Sequence, residues 1–156
     1  MEPVPGNGAD PAKVELIAFE IGGQGFCIDI VSVREIRGWT QAAPLPQTPD
    51  YVLGVINLRG AVMPVLDVRL RLGLGVTEQT SRHVIIVIQD GPRLAGLLVD
   101  AVQDTFVVEA SLFQAPPDLT IDTDTPFVDA ILPLKDRMLS RLVISSLIPG
   151  PDKLAA

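Results

Sequence analysis

The chain has 156 residues, of which 47% are hydrophobic and 20% charged, and its formal net charge is −7. Nucleic-acid binding depends on clustered basic side chains, so this acidic balance argues against a DNA- or RNA-binding role. Aromatic residues make up only 4%, which leaves Val, Ile and Leu to build the core and favours strands over helices.

The first third of the chain begins with a hairpin pattern. Apolar residues fall on one face of a strand over 15–21, and the glycine-rich residues 22–25 predict a turn into a second strand, Phe26–Ile30. Val31–Glu35 then predicts a single helical turn, for which Ser32 offers a weak cap. A loop rich in proline follows.

The middle of the chain predicts a second hairpin beside two short helical segments. Pro49–Leu53 predicts one helical turn, and the hairpin joins Val55–Leu58 to Ala61–Leu66 through a turn at Arg59 and Gly60. Asp67 is placed to cap a short helix that ends at Leu72.

The last half of the chain predicts two further hairpins. The first joins Arg82–Gln89 to Arg93–Val99, and both strands are so apolar that we expect them to be covered on two sides. Residues 114–126 predict an irregular loop, and the final hairpin covers 127–144. The total of about eight to ten short strands indicates β-barrels or a sandwich.

The ends of the chain differ from the rest in composition. Residues 1–12 and 150–156 are rich in Pro, Gly or polar residues and predict flexible tails around one structured domain, 13–149. The N-terminus lacks the pattern of a signal peptide, and no apolar stretch approaches the ~20 residues that span a bilayer. With a single cysteine, the chain suits a reducing compartment, and we expect a cytoplasmic protein with no membrane insertion.

Residues that could carry chemistry are few and isolated. His83 has no second histidine or cysteine at ligand spacing, so a structural role is favoured. Cys27 lies in a predicted strand and is expected to be a small buried hydrophobic residue. Residues 22–25 lack the lysine and following helix of a phosphate loop, and Asp122 and Asp124 lack the rest of a calcium loop. The sequence therefore predicts no cofactor, no metal and no enzyme.

Two runs place polar side chains among apolar ones. The first runs from Cys27 to Gly38 and includes Val-Arg-Glu-Ile-Arg-Gly, and the second runs from Gly54 to Arg69 and includes Val-Ile-Asn-Leu-Arg-Gly. Both resemble the diagnostic motifs of the CheW family. The resemblance continues through 96–102 and 135–139, and it covers residues 14–148.

This resemblance implies a fold and a function. The fold would be mainly β, with two packed five-stranded SH3-like β-barrels and a few short helices. The function would be that of a non-enzymatic chemotaxis adaptor, which couples the regulatory domain of a CheA-type histidine kinase to the cytoplasmic tips of methyl-accepting chemoreceptors. Two alternatives stay open: action in a chemosensory pathway that does not drive motility, and a free-standing regulatory-type domain that binds only the kinase.

The resemblance also assigns residues. Those that match the family's partner-contact segments or its positions of close backbone approach are Val33, Glu35, Ile36, Gly54, Asn57, Leu58, Arg59, Gly60 and Gly96. Arg59 on a hairpin turn and Glu35 at a strand edge are expected to pair, and an exposed arginine with apolar neighbours suits a protein interface. The pattern leaves open whether Trp39 is an exposed anchor or a lid on the core.

The charge is unevenly spread along the chain. Residues 31–72 carry five arginines against three acids, whereas residues 73–129 carry two arginines against nine acids. Either the acids form a solvated face, or the protein has two surfaces that take different partners.

Overall fold

The structure is a computed structural model that describes residues 12–116 and 127–149. The strands of these two ranges are, in chain order, β1 Lys13–Ile21, β2 Gln24–Asp29, β3 Val33–Gly38, β4 Val52–Leu58, β5 Ala61–Asp67, β6 Val84–Asp90, β7 Arg93–Val99, β8 Ala101–Glu109, β9 Val128–Pro133 and β10 Met138–Leu142. The one-turn helices are α1 Val68–Arg71 and α2 Ile144–Leu147. Short 3-10 turns cover Ile30–Ser32 and Ala110–Leu112.

The strands form two sheets of five strands each. One sheet has the order β8-β1-β2-β10-β9 and the other has the order β3-β6-β7-β5-β4. Each sheet contains one parallel pair, β2 with β10 and β5 with β7, and its other pairs are antiparallel. The predicted mainly β fold with two five-stranded units and few short helices is confirmed.

Both sheets close on themselves. In the sheet that starts with β3, Ala43 exchanges two backbone hydrogen bonds of 2.9 and 2.8 Å with Val55 of β4. In the other sheet, Gln114 exchanges two such bonds of 2.8 and 2.7 Å with Ile131 of β9. We call the first unit the central barrel (β3–β7) and the second the terminal barrel (β1, β2 and β8–β10).

The two barrels share one topology in different chain order. Strand β8 stands in the terminal barrel where β3 stands in the central barrel, and the β9–β10 hairpin stands where the β4–β5 hairpin does. A one-turn helix follows each hairpin. The hydrogen bond from the Asp67 amide to the Tyr51 carbonyl, 2.7 Å, has its counterpart in the bond from the Val143 amide to the Phe127 carbonyl, 2.8 Å.

The alternation of side chains along each strand builds three apolar clusters. Along β1, Leu16 and Ala18 face the interior of the terminal barrel, while Ile17 and Phe19 face the central barrel. Strands β6 and β7 are likewise covered on both faces, as their continuous apolar runs predict. The largest cluster therefore lies between the barrels and holds them together.

Polar contacts add to this interface. The Arg71 guanidinium lies 4.2 Å from the ring centroid of Tyr51 and 4.8 Å from that of Phe127. Its Nη2 donates a 2.9 Å hydrogen bond to the Ser146 carbonyl of α2. Because Tyr51 precedes the central hairpin and Phe127 precedes the terminal one, a single arginine links equivalent points of the two barrels.

Several local predictions are confirmed. The first hairpin turns at Gly22 and Gly23, both of which have positive φ. The Asp67 side chain accepts a hydrogen bond from the Leu70 amide at the start of α1. The role of Trp39, which the sequence pattern left open, is that of a lid, because Trp39 is half-buried, packs against the core of the central barrel and donates to Gln79 at 3.1 Å.

Other local predictions are wrong or incomplete. The helical turn predicted over Val31–Glu35 is confined to Ile30–Ser32, because Val33 onward pairs with β6. The helical turn predicted at Pro49–Leu53 is a hydrogen-bonded turn that leads into β4. Strand β8 and helix α2 were not predicted. The predicted tails lie outside the described residues apart from Ala12, as does most of the loop predicted at 114–126.

No helix in the two described ranges has the length and apolar character needed to cross a membrane.

Candidate partner-binding site

The site begins with a bulge in β3. Val33 pairs with Ile88 and Glu35 pairs with Val87, so the register shifts between them. Ile88 belongs to the cluster between the barrels, whereas Val87 belongs to the interior of the central barrel. Because cross-strand neighbours face the same side of a sheet, the bulge at Arg34 directs Val33 and Glu35 to different sides.

The second element is the turn between β4 and β5. Arg59 has φ +50° and Gly60 has φ +88°, the combination of a two-residue hairpin turn of type I′. Asn57 supports this turn, since its Oδ1 accepts a 2.7 Å hydrogen bond from the Gly60 amide. A left-handed backbone is costly for arginine, by roughly 1–3 kcal/mol, and such strain is concentrated at functional positions.

The turn delivers Arg59 to Glu35. Arg59 Nη2 lies 2.8 Å from Glu35 Oε1, and Arg37 Nη1 lies 3.3 Å from Glu35 Oε2. The hydrogen bond from Arg59 holds the pKa of the Glu35 carboxyl below its usual range, and Arg37 acts in the same direction. The predicted pair of Arg59 and Glu35 is confirmed, and Arg37 completes a cluster of two cations around one carboxylate.

The pair borders a shallow depression of the surface. Its lining residues are Val33, Arg34, Glu35, Leu58, Arg59 and Leu94, and we call them together the Arg59 site. The Arg59 side chain is 73% exposed and the Glu35 side chain 24% exposed. The site therefore presents a cation outward, with a second arginine and apolar side chains around it.

The remaining sequence-assigned residues lie apart from this depression. Ile36 follows Glu35 on the opposite face of β3 and is 47% exposed. Gly54 and Gly96 are buried: a Cβ at Gly54 would lie 2.2 Å from the Ala43 carbonyl oxygen, and one at Gly96 would lie 2.8 Å from Ile85 Cγ2. Both glycines have a packing role in the structure, and partner contact by either one stays a prediction.

Sequence reasoning did not single out Arg34, Arg37 or Leu94. Arg37 had a usable signal, because a residue two positions after Glu35 on a strand shares its face. Leu94 had none, since it joins the site through the pairing of β6 with β7. The bulge that exposes Arg34 beside Glu35 was equally invisible.

The candidates for catalysis have structural roles. His83 Nδ1 accepts from the Thr80 amide at 3.1 Å, and its Nε2 lies 3.3 Å from Asp100 Oδ1. Cys27 is buried, and this burial raises the pKa of its thiol to about 12, which keeps it protonated and unreactive at neutral pH. Within the two described ranges, no group of three or more His, Cys, Asp or Glu side chains could hold a metal ion.

Comparisons with known proteins agree with this arrangement. The family model described as "CheW-like domain" matches residues 15–151. The chain is 49% identical to "Chemotaxis protein CheW" of Rhizobium meliloti over 91% of this chain and 92% of that one. It is 32% identical to the protein of the same name from Klebsiella aerogenes over 88% of this chain and 83% of that one.

A solved structure shows the same fold. The scaffolding protein TtCheW from Thermoanaerobacter tengcongensis superposes with a TM-score of 0.80 at 28% identity, covering 97% of this chain and 96% of that one. The chain therefore belongs to the CheW family of chemotaxis proteins, which are scaffolding adaptors and not enzymes.

Proposed function

We propose that this chain couples a CheA-type histidine kinase to the cytoplasmic tips of methyl-accepting chemoreceptors, and that the Arg59 site contacts one of these partners. In this proposal it works in the cytoplasm, beside membrane-bound receptor arrays that it reaches through its partners. It holds kinase and receptor in a fixed geometry, so that a receptor conformation shifts the kinase between active and inactive states.

The observation that supports the proposal most directly is the conformation of Arg59. An arginine occupies a left-handed turn position that glycine or asparagine would fill at lower cost. Its side chain is 73% exposed, while its Nη2 is held 2.8 Å from Glu35 Oε1. An exposed arginine that is oriented by an ion pair and lies beside apolar side chains is typical of the residues that dominate binding energy at protein interfaces.

The charges indicate what the site takes. Arg34 and Arg59 line the depression against the single carboxylate of Glu35, and Arg37 already uses the second oxygen of that carboxylate. The site therefore has an excess of positive charge, which favours an acidic side chain on the partner. Val33 and Leu58, which also line the depression, favour an apolar neighbour beside that acid.

The test is kinase autophosphorylation in receptor-containing membranes, with the wild-type chain or the variant Arg59→Gly. Glycine suits the left-handed turn, so the variant keeps its fold but lacks the guanidinium. Arg82→Ala is the matched control, since it removes an exposed arginine of the same barrel outside the site. We expect wild type and control to activate the kinase and Arg59→Gly to fail.

Two results would contradict the proposal. Activation by Arg59→Gly at the wild-type level would show that the Arg59 site is not used. Absence of binding to both kinase and receptor would remove the coupling role itself. Binding to the kinase alone would instead favour the alternative of a free-standing module that serves only the kinase.

A further inference from the structure

The terminal barrel carries its own acid–arginine pair. Asp104 lies on β8, and Arg137 lies in the turn between β9 and β10. Arg137 Nη2 is 3.1 Å from both Oδ1 and Oδ2 of Asp104, and Arg137 Nη1 donates to Gln103 Oε1 at 3.2 Å. None of these residues takes part in the Arg59 site.

This pair occupies the same place in its barrel as the Arg59–Glu35 pair does in the other. Strand β8 is the counterpart of β3, and the β9–β10 turn is the counterpart of the β4–β5 turn. Asp104 stands opposite Ala18, which lies inside the terminal barrel, just as Glu35 stands opposite Val87 inside the central barrel. In each barrel an arginine from a hairpin turn therefore binds an acid on an inward-facing strand position.

The two pairs differ in which partner faces the solvent. In the Arg59 pair the arginine is 73% exposed and Glu35 is 24% exposed. In the terminal pair the order is reversed, with Asp104 at 49% and Arg137 at 28%. The Arg137 guanidinium lies over the Phe106 ring, 5.4 Å from its centroid, and this contact covers part of the arginine. The terminal pair therefore presents a carboxylate where the central pair presents a guanidinium.

The charge of each barrel reinforces this reversal. Residues 30–99, which form the central barrel, carry seven arginines against five acids. Residues 12–29, 100–116 and 127–149, which form the terminal barrel, carry four basic residues against eight acids. The field around Asp104 thus favours a cation, while the field around Arg59 favours an anion.

We propose that Asp104 and Arg137, with the neighbouring Gln103 and Phe106, form a second binding surface, for a partner protein that presents a basic side chain next to an apolar one. A carboxylate has about four acceptor positions, so Asp104, which Arg137 contacts through Nη2 alone, has room for a further donor. Phe106, which is half-buried and lies two residues after Asp104 on the same face of β8, supplies the apolar contact. Charge complementarity thus assigns the two barrels partners of opposite sign. This inference does not depend on the role of the Arg59 site.

The test is an NMR titration of the full chain with two matched peptides, acetyl-Arg-Leu-Arg-amide and acetyl-Glu-Leu-Glu-amide. The basic peptide is expected to shift the amide resonances of Asp104, Phe106 and Arg137, and the acidic peptide those around Arg59. Asp104→Asn should raise the Kd of the basic peptide by about tenfold, because a charge-assisted hydrogen bond is lost. Asp129→Asn should not, although it removes an acid of the same barrel that also pairs with an arginine, Arg141.

Three results would overturn the inference. Shifts spread over the whole acidic surface, or equal losses in Asp104→Asn and Asp129→Asn, would show a general charge effect. Self-association of the chain that Asp104→Asn abolishes would identify a second copy, not a separate partner, as the occupant. Because the titration needs neither kinase nor receptor, it tests this surface even if the proposed coupling role is wrong.

Discussion

Gly54 offers a sharp test of how the central barrel is closed. A Cβ at this position would lie 2.2 Å from the Ala43 carbonyl oxygen, and the backbone φ is +148°, where side chains other than glycine are strained. In Gly54→Ala the strand must move away from Ala43, which opens the two hydrogen bonds that join Ala43 to Val55. These bonds contribute about 1 kcal/mol each, and the backbone strain adds about 1–3 kcal/mol.

The expected loss of unfolding free energy is therefore about 3–5 kcal/mol, or roughly 10 °C in Tm for a domain of this size. Urea and thermal unfolding followed by circular dichroism measure it. Gly38→Ala is the matched control, since nothing lies within 4 Å of a Cβ there and its φ is not positive. Gly96→Ala should fall between the two, because its Cβ would be too close to a side chain, Ile85 Cγ2 at 2.8 Å, rather than to backbone atoms, and its φ is not positive. A loss in Gly54→Ala no larger than in Gly38→Ala would refute the reasoning.

Three further predictions concern the titrating and buried groups. Because burial raises the pKa of Cys27 to about 12, its thiol should resist a disulfide reagent in the native protein and react in urea. The free energy of unfolding should also fall above pH ~8.5, where the unfolded chain loses the thiol proton and the folded chain keeps it. Fast reaction of the native protein would contradict this and show that the site opens. Asp67 is fully buried and accepts hydrogen bonds from the Thr77 amide and hydroxyl at 3.0 and 2.6 Å. Asp67→Asn should therefore lower the unfolding free energy measured in urea by about 2–3 kcal/mol. An unchanged urea midpoint would contradict the role of Asp67 in holding Thr77. Because the pKa of Glu35 is lowered in the folded protein, the stabilisation from its pairing with Arg59 is complete above the unfolded pKa of about 4.3 and is lost as pH falls through the folded pKa. A carboxyl NMR titration should show that the Glu35 pKa rises in Arg59→Ala. An unchanged pKa would mean that Arg59 does not hold the carboxylate.

The repeated topology gives the two proposed binding surfaces equivalent places in the two barrels. Each barrel closes by a pair of backbone hydrogen bonds and carries one arginine of its hairpin turn on an acid of the neighbouring strand. The apolar cluster between the barrels and the Arg71 bridge keep the two pairs in a fixed relation. A scaffold of this kind transmits geometry because its surfaces are held by a packed interior.

The sequence by itself determined the local features of this protein. Period-2 alternation and turn chemistry predicted the hairpins, since both depend on neighbouring residues only. The cap at Asp67 is local for the same reason, because the carboxylate binds an amide three residues on. Arg59 could be placed on a turn from its neighbour Gly60, and its pairing with Glu35 was expected from the place of Glu35 at a strand edge.

Only the tertiary structure decided which strands meet. The parallel pairing of β2 with β10 joins the two ends of the described chain, and no local pattern encodes it. Strand β8 was missed because its exposed residues hide the alternation, and the bulge at Arg34 is set by the two cores on either side of β3. The equivalence of Asp104–Arg137 to Glu35–Arg59, and the reversal of their exposure, likewise follow from burial between elements distant in sequence, which is a property of the folded chain as a whole.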